Sequence, residues 1–62
     1  MKQSIRHQKI VELVKQKGYL STDELVDLFG VSPQTIRRDL NELAEANFIR
    51  RHHGGAASPS TA

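Results

Sequence analysis

Two helix-start signals, separated by a short segment that contains a glycine, constrain the fold of this chain most. Residues 21–24, Ser-Thr-Asp-Glu, have the form of a capping box, in which Ser21 and Glu24 satisfy each other's backbone N–H groups. Ser32 followed by Pro33 is a second helix start, because proline suits the first helical position. Gly30 ends the first of these helices. Two short helices joined by so tight a turn predict a helix-turn-helix.

Apolar residues at helical spacing predict three helices in all. The first runs from about Ile5 to Lys17, with Ser4 as its N-cap and Gly18 at its end. The third closes at Asn47, a residue that tolerates the left-handed conformation at a helix end. The residues expected to face the core are Ile10, Leu13 and Val14 in the first helix, Leu25, Leu28 and Phe29 in the second, and Ile36, Leu40, Leu43 and Ala44 in the third.

The segment after the third helix predicts a β-hairpin. Residues 48–51 resemble a strand, Gly54-Gly55 favour a turn, and the alanines that follow begin the return strand. Tyr19-Leu20 is a candidate for a further minimal strand. The sequence thus predicts a mainly α fold with a small β-hairpin, a winged helix-turn-helix of three helices plus wing. We assign this domain to residues 1–57, and residues 58–62 to a linker that leads to a C-terminal domain absent from this chain.

Length and composition narrow the classes of function. The 62 residues allow one small domain, and the absence of cysteine excludes disulfides and fits a cytoplasmic protein. No apolar run is long enough to span a membrane. Residues 1–20, 21–45 and 46–62 carry net charges of +4, −4 and +2, so any nucleic-acid surface must combine separate segments. We see no paired carboxylates, activated nucleophile or phosphate loop, and therefore expect no enzyme and no cofactor.

The outward face of the third helix carries side chains suited to DNA. With Ile36 facing the core, steps of about 100° per residue place Gln34, Arg38 and Asn41 outward and Thr35 on the flank. Arginine can make a bidentate hydrogen-bonded contact with guanine, and glutamine or asparagine can make one with adenine. The alternative is that these are ordinary polar residues of a solvated helix. Their grouping behind a capped turn favours the N-terminal half of this helix entering a major groove.

Acidic residues on the same side of the helix limit this interpretation. Glu42 and Glu45 lie near Arg38 and would repel phosphates. We therefore expect steep insertion, with only the first two turns of the helix in the groove. Glu42 is then expected to pair with Arg38 one turn earlier and to hold its side chain.

Basic residues beside the glycine turn form a candidate wing. We expect Arg50, Arg51, His52 and His53 to reach phosphates or the minor groove, with Gly54 allowing a tight turn or close approach. The alternative is a solvated hairpin tip. In the first helix Lys2, Arg6 and Lys9 are weaker candidates for contacts with the flanking backbone.

Metal binding is not expected. Neighbouring strand residues point to opposite faces, so His52 and His53 are poorly placed to bind one ion. His7 is distant in sequence, and no nearby cysteine or carboxylate cluster completes a site around it. Asp39, on the flank of the buried stripe, is expected to orient an arginine, either Arg6 or one on the wing.

The run Ser-Pro-Gln-Thr-Ile-Arg-Arg-Asp-Leu at residues 32–40 resembles the recognition-helix signature of DeoR-type bacterial repressors. The spacing from Arg6 to Ser32 and the closing Arg-His-His-Gly-Gly-Ala of residues 51–56 are similar to that family too, and the likeness covers residues 4–57. Asn47 departs from it, since the family usually has glycine there.

The resemblance implies the DNA-reading domain of a repressor of carbon-source metabolism. It implies that Arg37 joins Arg38 in contacting DNA. It also implies that an absent C-terminal domain senses a phosphorylated metabolite and drives homo-oligomerisation, so that this chain binds no small-molecule effector. The candidate DNA-binding residues are Ser32, Gln34, Thr35, Arg37, Arg38, Asn41, Arg50, Arg51, His52, His53 and Gly54.

The partner expected from these residues is a double-stranded DNA operator. The alternative is a winged-helix module that docks a protein through the same surface. Such docking would require apolar or acidic contacts, whereas the outward face offers glutamine, threonine, arginine and asparagine without an exposed apolar patch.

Overall fold

A computed structural model describes residues 2–59. Residues 60–62, part of the predicted linker, lie outside the described residues. Three helices and a three-stranded sheet make up the described part, which confirms the predicted winged helix-turn-helix. In chain order the elements are α1 (Gln3–Lys17), β1 (Tyr19–Ser21), α2 (Thr22–Phe29), α3 (Pro33–Glu45), β2 (Arg50–His52) and β3 (Gly55–Ala57).

Both predicted helix starts are confirmed by their cap geometry. At α2 the Glu24 N–H donates to Ser21 Oγ over 3.0 Å, and the Ser21 N–H donates to Glu24 Oε1 over 3.2 Å. At α3 the Ser32 hydroxyl oxygen accepts the Thr35 N–H over 3.2 Å, and Pro33 occupies the first helical position. Between the two helices Gly30 adopts a left-handed conformation with φ of 65°. Two orphan N–H groups are thus satisfied locally at α2 and one at α3.

The start of α1 differs from the prediction. The helix begins at Gln3, with Lys2 as an N-cap whose side chain makes no capping hydrogen bond, and Ser4 lies inside the helix. The prediction of Ser4 as the cap was therefore wrong. The physical reason is tertiary, because Gln3 and Arg6 in the first turn bond side chains of α3 and hold this turn helical without a cap.

The core lies between the three helices and the sheet. It is formed by Ile10, Val14, Leu20, Leu25, Ile36, Leu40, Leu43, Ile49 and Ala56. Leu28, predicted to be buried, is 59% exposed, so that prediction was wrong. Leu28 lies with Phe29 at the rim of a groove on α1, beside Lys9 and Gln16, and no described element packs over it.

The sheet fixes the position of the wing. Its strand order is β1-β3-β2 with antiparallel pairing, and β3 lies in the middle. Leu20 and Arg51 both lie opposite Ala56. A Cβ at Gly55 would meet the Leu20 carbonyl oxygen and the Tyr19 hydroxyl at 2.5 Å, so the close approach of β1 requires glycine there. The predicted Gly54-Gly55 turn is displaced by one residue, since His53-Gly54 form the turn and Gly55 begins β3.

The end of α3 is confirmed at Asn47, which adopts a φ of 66°. The Asn47 N–H donates to the Ala44 carbonyl and the Phe48 N–H to the Leu43 carbonyl, so the last carbonyls of the helix are paired. The Ser58 N–H bonds the Gly18 carbonyl over 3.0 Å, one residue beyond the domain end assigned from sequence.

Candidate nucleic-acid interface

The N-terminal half of α3 presents a polar face away from the core. Gln34, Arg37, Arg38 and Asn41 are exposed, whereas Ile36 on the opposite side is fully buried. No side-chain hydrogen bond or ion pair joins Gln34 or Arg37 to another residue among 2–59, which leaves the polar groups of these side chains available to a partner. The structure therefore places amide and guanidinium groups together at the surface, on a rigid helix.

Ser32 and Thr35 are engaged with each other. Their hydroxyl oxygens lie 2.9 Å apart, in addition to the backbone cap bond, and Thr35 is half-buried. Ser32 is exposed at the N-terminus of α3, where the helix dipole favours an anion. Both residues therefore combine a structural bond with access to a partner.

Arg38 and Glu42 lie in the arrangement expected from sequence. Arg38 Nε is 3.6 Å from Glu42 Oε2, and the Arg38 side chain is 78% exposed. The other Glu42 oxygen accepts from Gln3 Nε2 over 2.7 Å. Glu42 is thus anchored to α1 and faces Arg38 with its second oxygen. In so exposed a pair the attraction is modest, and its effect is to restrict where the Arg38 side chain points.

Asp39 lies at the centre of a network that joins α1 to α3. The carboxylate is 1% exposed and accepts from Arg6 Nε and, over 3.2 Å, from Arg6 Nη2. His7 Nε2 lies 2.9 Å from Asp39 Oδ1, and Gln3 Nε2 lies 3.5 Å from the same atom. The prediction that Asp39 orients an arginine is confirmed for Arg6. Arg6 is itself buried, so its expected contact with the DNA backbone was wrong.

Opposing effects set the protonation of this buried pair. Burial by itself would raise the pKa of Asp39, but hydrogen bonds and charge from Arg6 and His7 outweigh burial and lower the pKa below its ordinary value. The hydrogen bond with Asp39 likewise raises the pKa of Arg6, against the effect of burial. Asp39 is therefore ionised at neutral pH, and its negative charge is paired with Arg6 inside the protein.

Two carboxylates lie beside His7 in the structure, although no carboxylate cluster was expected to complete a metal site around it. Ligand atoms of His7, Asp39 and Glu42 lie within 4.8 Å of one another. Both Asp39 oxygens already accept from Arg6, and Glu42 accepts from Gln3. A cation at this point would have to approach a buried guanidinium. The cluster is therefore explained by the contact between α1 and α3.

The spacing of Arg6 is a sequence signal for this network that the net charges of the three segments do not reveal. Arg6 precedes Ile10 and Val14 at the spacing of one helical turn, so it continues the buried stripe of α1. A basic residue in line with an apolar stripe indicates a buried ion pair. His7 and Gln3 carry no comparable signal, because neither is a lysine or arginine, whose charge would need a partner when buried.

The two wing arginines differ in their surroundings. Arg50 is exposed, and no hydrogen bond or ion pair links its side chain to another residue of the described chain. Arg51 is half-buried, and its Nε donates to Asn41 Oδ1 over 3.0 Å. His53 and Gly54 are exposed at the turn, where Gly54 has a φ of 81°. The His52 ring is exposed and meets Tyr19 edge-on, with ring centroids 6.2 Å apart.

A cleft of about 680 Å³ separates α3 from the wing. Arg37 and Asn41 line one wall, and residues 51–54 of the wing line the other. The structure thus brings two predicted residues of the third helix together with four of the hairpin, whereas Thr35 and Arg38 line a separate pocket beside α1 and Arg50 does not line the cleft. The most exposed apolar side chains, Leu28 and Phe48, do not line this cleft.

The arrangement has the chemistry of a surface that binds a polyanion. Arg37 on α3 and Arg50 on β2 are exposed and have no side-chain partner among residues 2–59, and the outward side chains of α3 donate and accept hydrogen bonds. Arginines of this kind bind phosphates, and the polar side chains near them can bind the edges of bases.

None of the helices over residues 2–59 has the length and apolar character needed to cross a membrane.

Comparisons with known proteins agree with this geometry. The chain is 76% identical over all 62 residues to the glycerol-3-phosphate regulon repressor of Haemophilus influenzae and 74% identical over 61 residues to the repressor of the same name from Escherichia coli. It is 46% identical over 56 residues to the HTH-type transcriptional repressor CsqR of Escherichia coli. In the first two comparisons it spans 24% of the relative's length, and in the third 22%. No solved structure matches the chain.

The model of the DeoR-like helix-turn-helix domain matches residues 6–62. This match contains both capped helices, the Asp39 network apart from Gln3, and the whole wing. The resemblance seen in the recognition helix and in the wing therefore extends over residues 6–62. The chain belongs to the family of DeoR-like helix-turn-helix domains.

Proposed function

We propose that this chain is the operator-reading domain of a transcriptional repressor of glycerol 3-phosphate metabolism. It binds double-stranded DNA in the cytoplasm, without catalysis, and represses by occluding a promoter. The observation that carries the proposal is the exposed polar face of α3, which lies beside the wing and opposite a fully buried Ile36. The names of the most similar relatives supply the metabolic context.

The N-terminal half of α3 enters the major groove in this proposal. Gln34, Arg38 and Asn41 then face base edges, and Arg37 and Arg50 neutralise phosphates on either side. The insertion is steep, because Glu42 and Glu45 would bring negative charge to the backbone if the helix lay flat in the groove. The Gln3–Glu42 bond supports this geometry, since it holds one acidic side chain toward α1.

The affinity of the isolated domain is expected to be low. One recognition helix covers one half-site. A dimer that binds two half-sites about 34 Å apart has a higher affinity, because its two DNA-binding domains are linked. The remaining three quarters of a protein like the matched relatives would supply oligomerisation and the response to a metabolite. Glycerol 3-phosphate is accordingly not expected to bind the 62-residue chain itself.

Selection of bound duplexes from a random DNA pool tests the proposal. The chain should enrich one half-site, and log affinity should fall with log salt at a slope of about −0.9 per phosphate neutralised. A flat salt response, or the absence of any enriched sequence, would overturn it.

Arg38→Ala sharpens this test. Loss of a bidentate contact should cost about 1–3 kcal/mol and relax the preference at one base pair. The matched control is Lys15→Ala, which removes the same charge from an exposed residue of α1. Lys15 lies in a groove with Phe48, which follows the C-terminal end of α3. Equal losses for the two variants would show that Arg38 contributes only charge.

A further inference from the structure

The guanidinium of Arg51 joins the wing to the recognition helix. Its Nη1 donates to the carbonyls of His52 and Gly55, each over 2.7 Å, and its Nε donates to Asn41 Oδ1 over 3.0 Å. His52 and Gly55 are the pair that closes the hairpin turn. One planar group therefore fixes both sides of the turn and one side chain of α3.

These bonds determine which way the Asn41 amide faces. A guanidinium has only donors, whereas an asparagine amide has an acceptor oxygen and a donor nitrogen. The flipped amide would set the Nδ2 protons of Asn41 against the Nε proton of Arg51, which is repulsive. Oδ1 of Asn41 therefore stays on Arg51, and Nδ2 with its two protons is the group left for a partner.

We propose that Arg51 is a positioning residue that makes Asn41 a hydrogen-bond donor toward DNA. The inference rests on the proposed function, because it names the polarity of one contact within that interface. Asn41 then reads acceptor atoms, such as guanine O6 and N7, thymine O4 or a phosphate oxygen. An adenine fork needs an acceptor for the N6 amino group as well as a donor to N7. The fork would require Oδ1 to accept from N6 with its second lone pair while the first holds Arg51, so we expect Asn41 to contact DNA through Nδ2 instead.

The two arginines of β2 consequently have different roles. The Arg50 side chain is exposed and without a partner among residues 2–59, so its charge is free to neutralise a phosphate. Arg51 donates hydrogen bonds from Nε and Nη1 to groups of the domain itself, and it affects DNA binding by orienting Asn41. The adjacent pair offers a comparison in which two substitutions remove the same charge from the same strand.

The experiment is duplex selection with the 62-residue chain, three single variants (Arg51→Leu, Arg50→Leu and Asn41→Ala) and the double variant Asn41→Ala, Arg51→Leu. Arg51→Leu should weaken the preference at one base pair by about five-fold or more, the same pair that Asn41→Ala affects. Arg50→Leu should reduce the slope of log affinity against log salt by about 0.9 and leave every base preference unchanged. In the Asn41→Ala background, Arg51→Leu should cause no further change in preference.

An unchanged preference profile for Arg51→Leu, with only the salt slope reduced, would overturn the inference and make Arg51 a phosphate contact like Arg50. Failure of the wild-type chain to enrich any sequence is a different result, which removes the proposed function itself. Circular dichroism of each variant shows whether it folds.

A second measurement avoids the Arg51 variant altogether. Each adenine of the selected site is replaced in turn by purine, which lacks the 6-amino group, and affinity is measured for wild type and Asn41→Ala. Every replacement should have the same effect on both proteins. An adenine whose replacement weakens wild type but not Asn41→Ala would show that Oδ1 accepts from N6, and would overturn the inference.

Discussion

Asp39→Ala is the substitution that most directly tests how α1 is held against α3. Asp39 is 1% exposed, and the donors around it, two from Arg6 and one each from His7 and Gln3, all belong to α1. Removing the carboxylate leaves Arg6, which is 8% exposed, as a buried charge without its counterion. The substitution thus affects the stability of the whole domain as well as the contact itself.

The expected loss is large compared with the stability available. Breaking a buried ion pair by removing one partner costs about 3–5 kcal/mol. At about 0.05–0.15 kcal/mol per residue, a chain of 62 residues has a free energy of unfolding of about 3–9 kcal/mol. With about 4–8 °C per kcal/mol for domains of this size, the melting temperature should fall by about 12 °C or more.

Thermal and urea unfolding followed by circular dichroism measure this loss. Asp27→Ala is the matched control, since Asp27 is exposed on α2 and should change stability by no more than about 0.5 kcal/mol. The double variant Arg6→Met, Asp39→Ala should lose less than the sum of the two single variants, because it leaves no buried charge unpaired. A melting temperature of Asp39→Ala within about 4 °C of wild type, or strictly additive losses, would refute the reasoning.

Two further predictions concern the same chain. Because the folded-state pKa of Asp39 is lowered, its stabilising contribution is fully present above the unfolded-state pKa and is lost as pH falls through the folded value. The difference in unfolding free energy between wild type and Asp39→Asn should therefore shrink below about pH 4 in urea titrations, and a constant difference would contradict the assigned direction. At Asn47, where φ is 66°, Asn47→Gly should raise the free energy of unfolding by up to about 1 kcal/mol and Asn47→Ala should lower it by about 1 kcal/mol. A lower melting temperature for the glycine variant would show that Asn47 is not strained.

Local chemistry made the helix-turn-helix predictable. Capping at Ser21 and Ser32 depends on atoms within three residues of each cap, so the sequence alone contains the whole interaction. The same logic failed at Ser4, because the first turn of α1 is held by Gln3 and Arg6 through bonds to a helix more than thirty residues away. A cap is predicted well only where no tertiary contact replaces it.

The outward face of α3 followed from helical periodicity once Ile36 was set in the core. The state of each outward side chain did not follow, because it depends on neighbours from other elements. Glu42 illustrates the difference. Its pairing with Arg38 on the same helix was predictable, whereas its stronger bond to Gln3 requires knowing which face of α1 packs against α3.

The wing shows how one displaced turn changes the roles assigned to its residues. A turn at Gly54-Gly55 would pair His53 with Ala56, whereas the observed turn at His53-Gly54 pairs Arg51 with Ala56. The cause is β1, whose Leu20 carbonyl and Tyr19 ring approach Gly55 so closely that this glycine must lie within the sheet. Residue type alone made Arg50 and Arg51 equivalent. The register set by a three-residue strand separates them, leaving Arg50 exposed on β2 and directing Arg51 to the Asn41 amide.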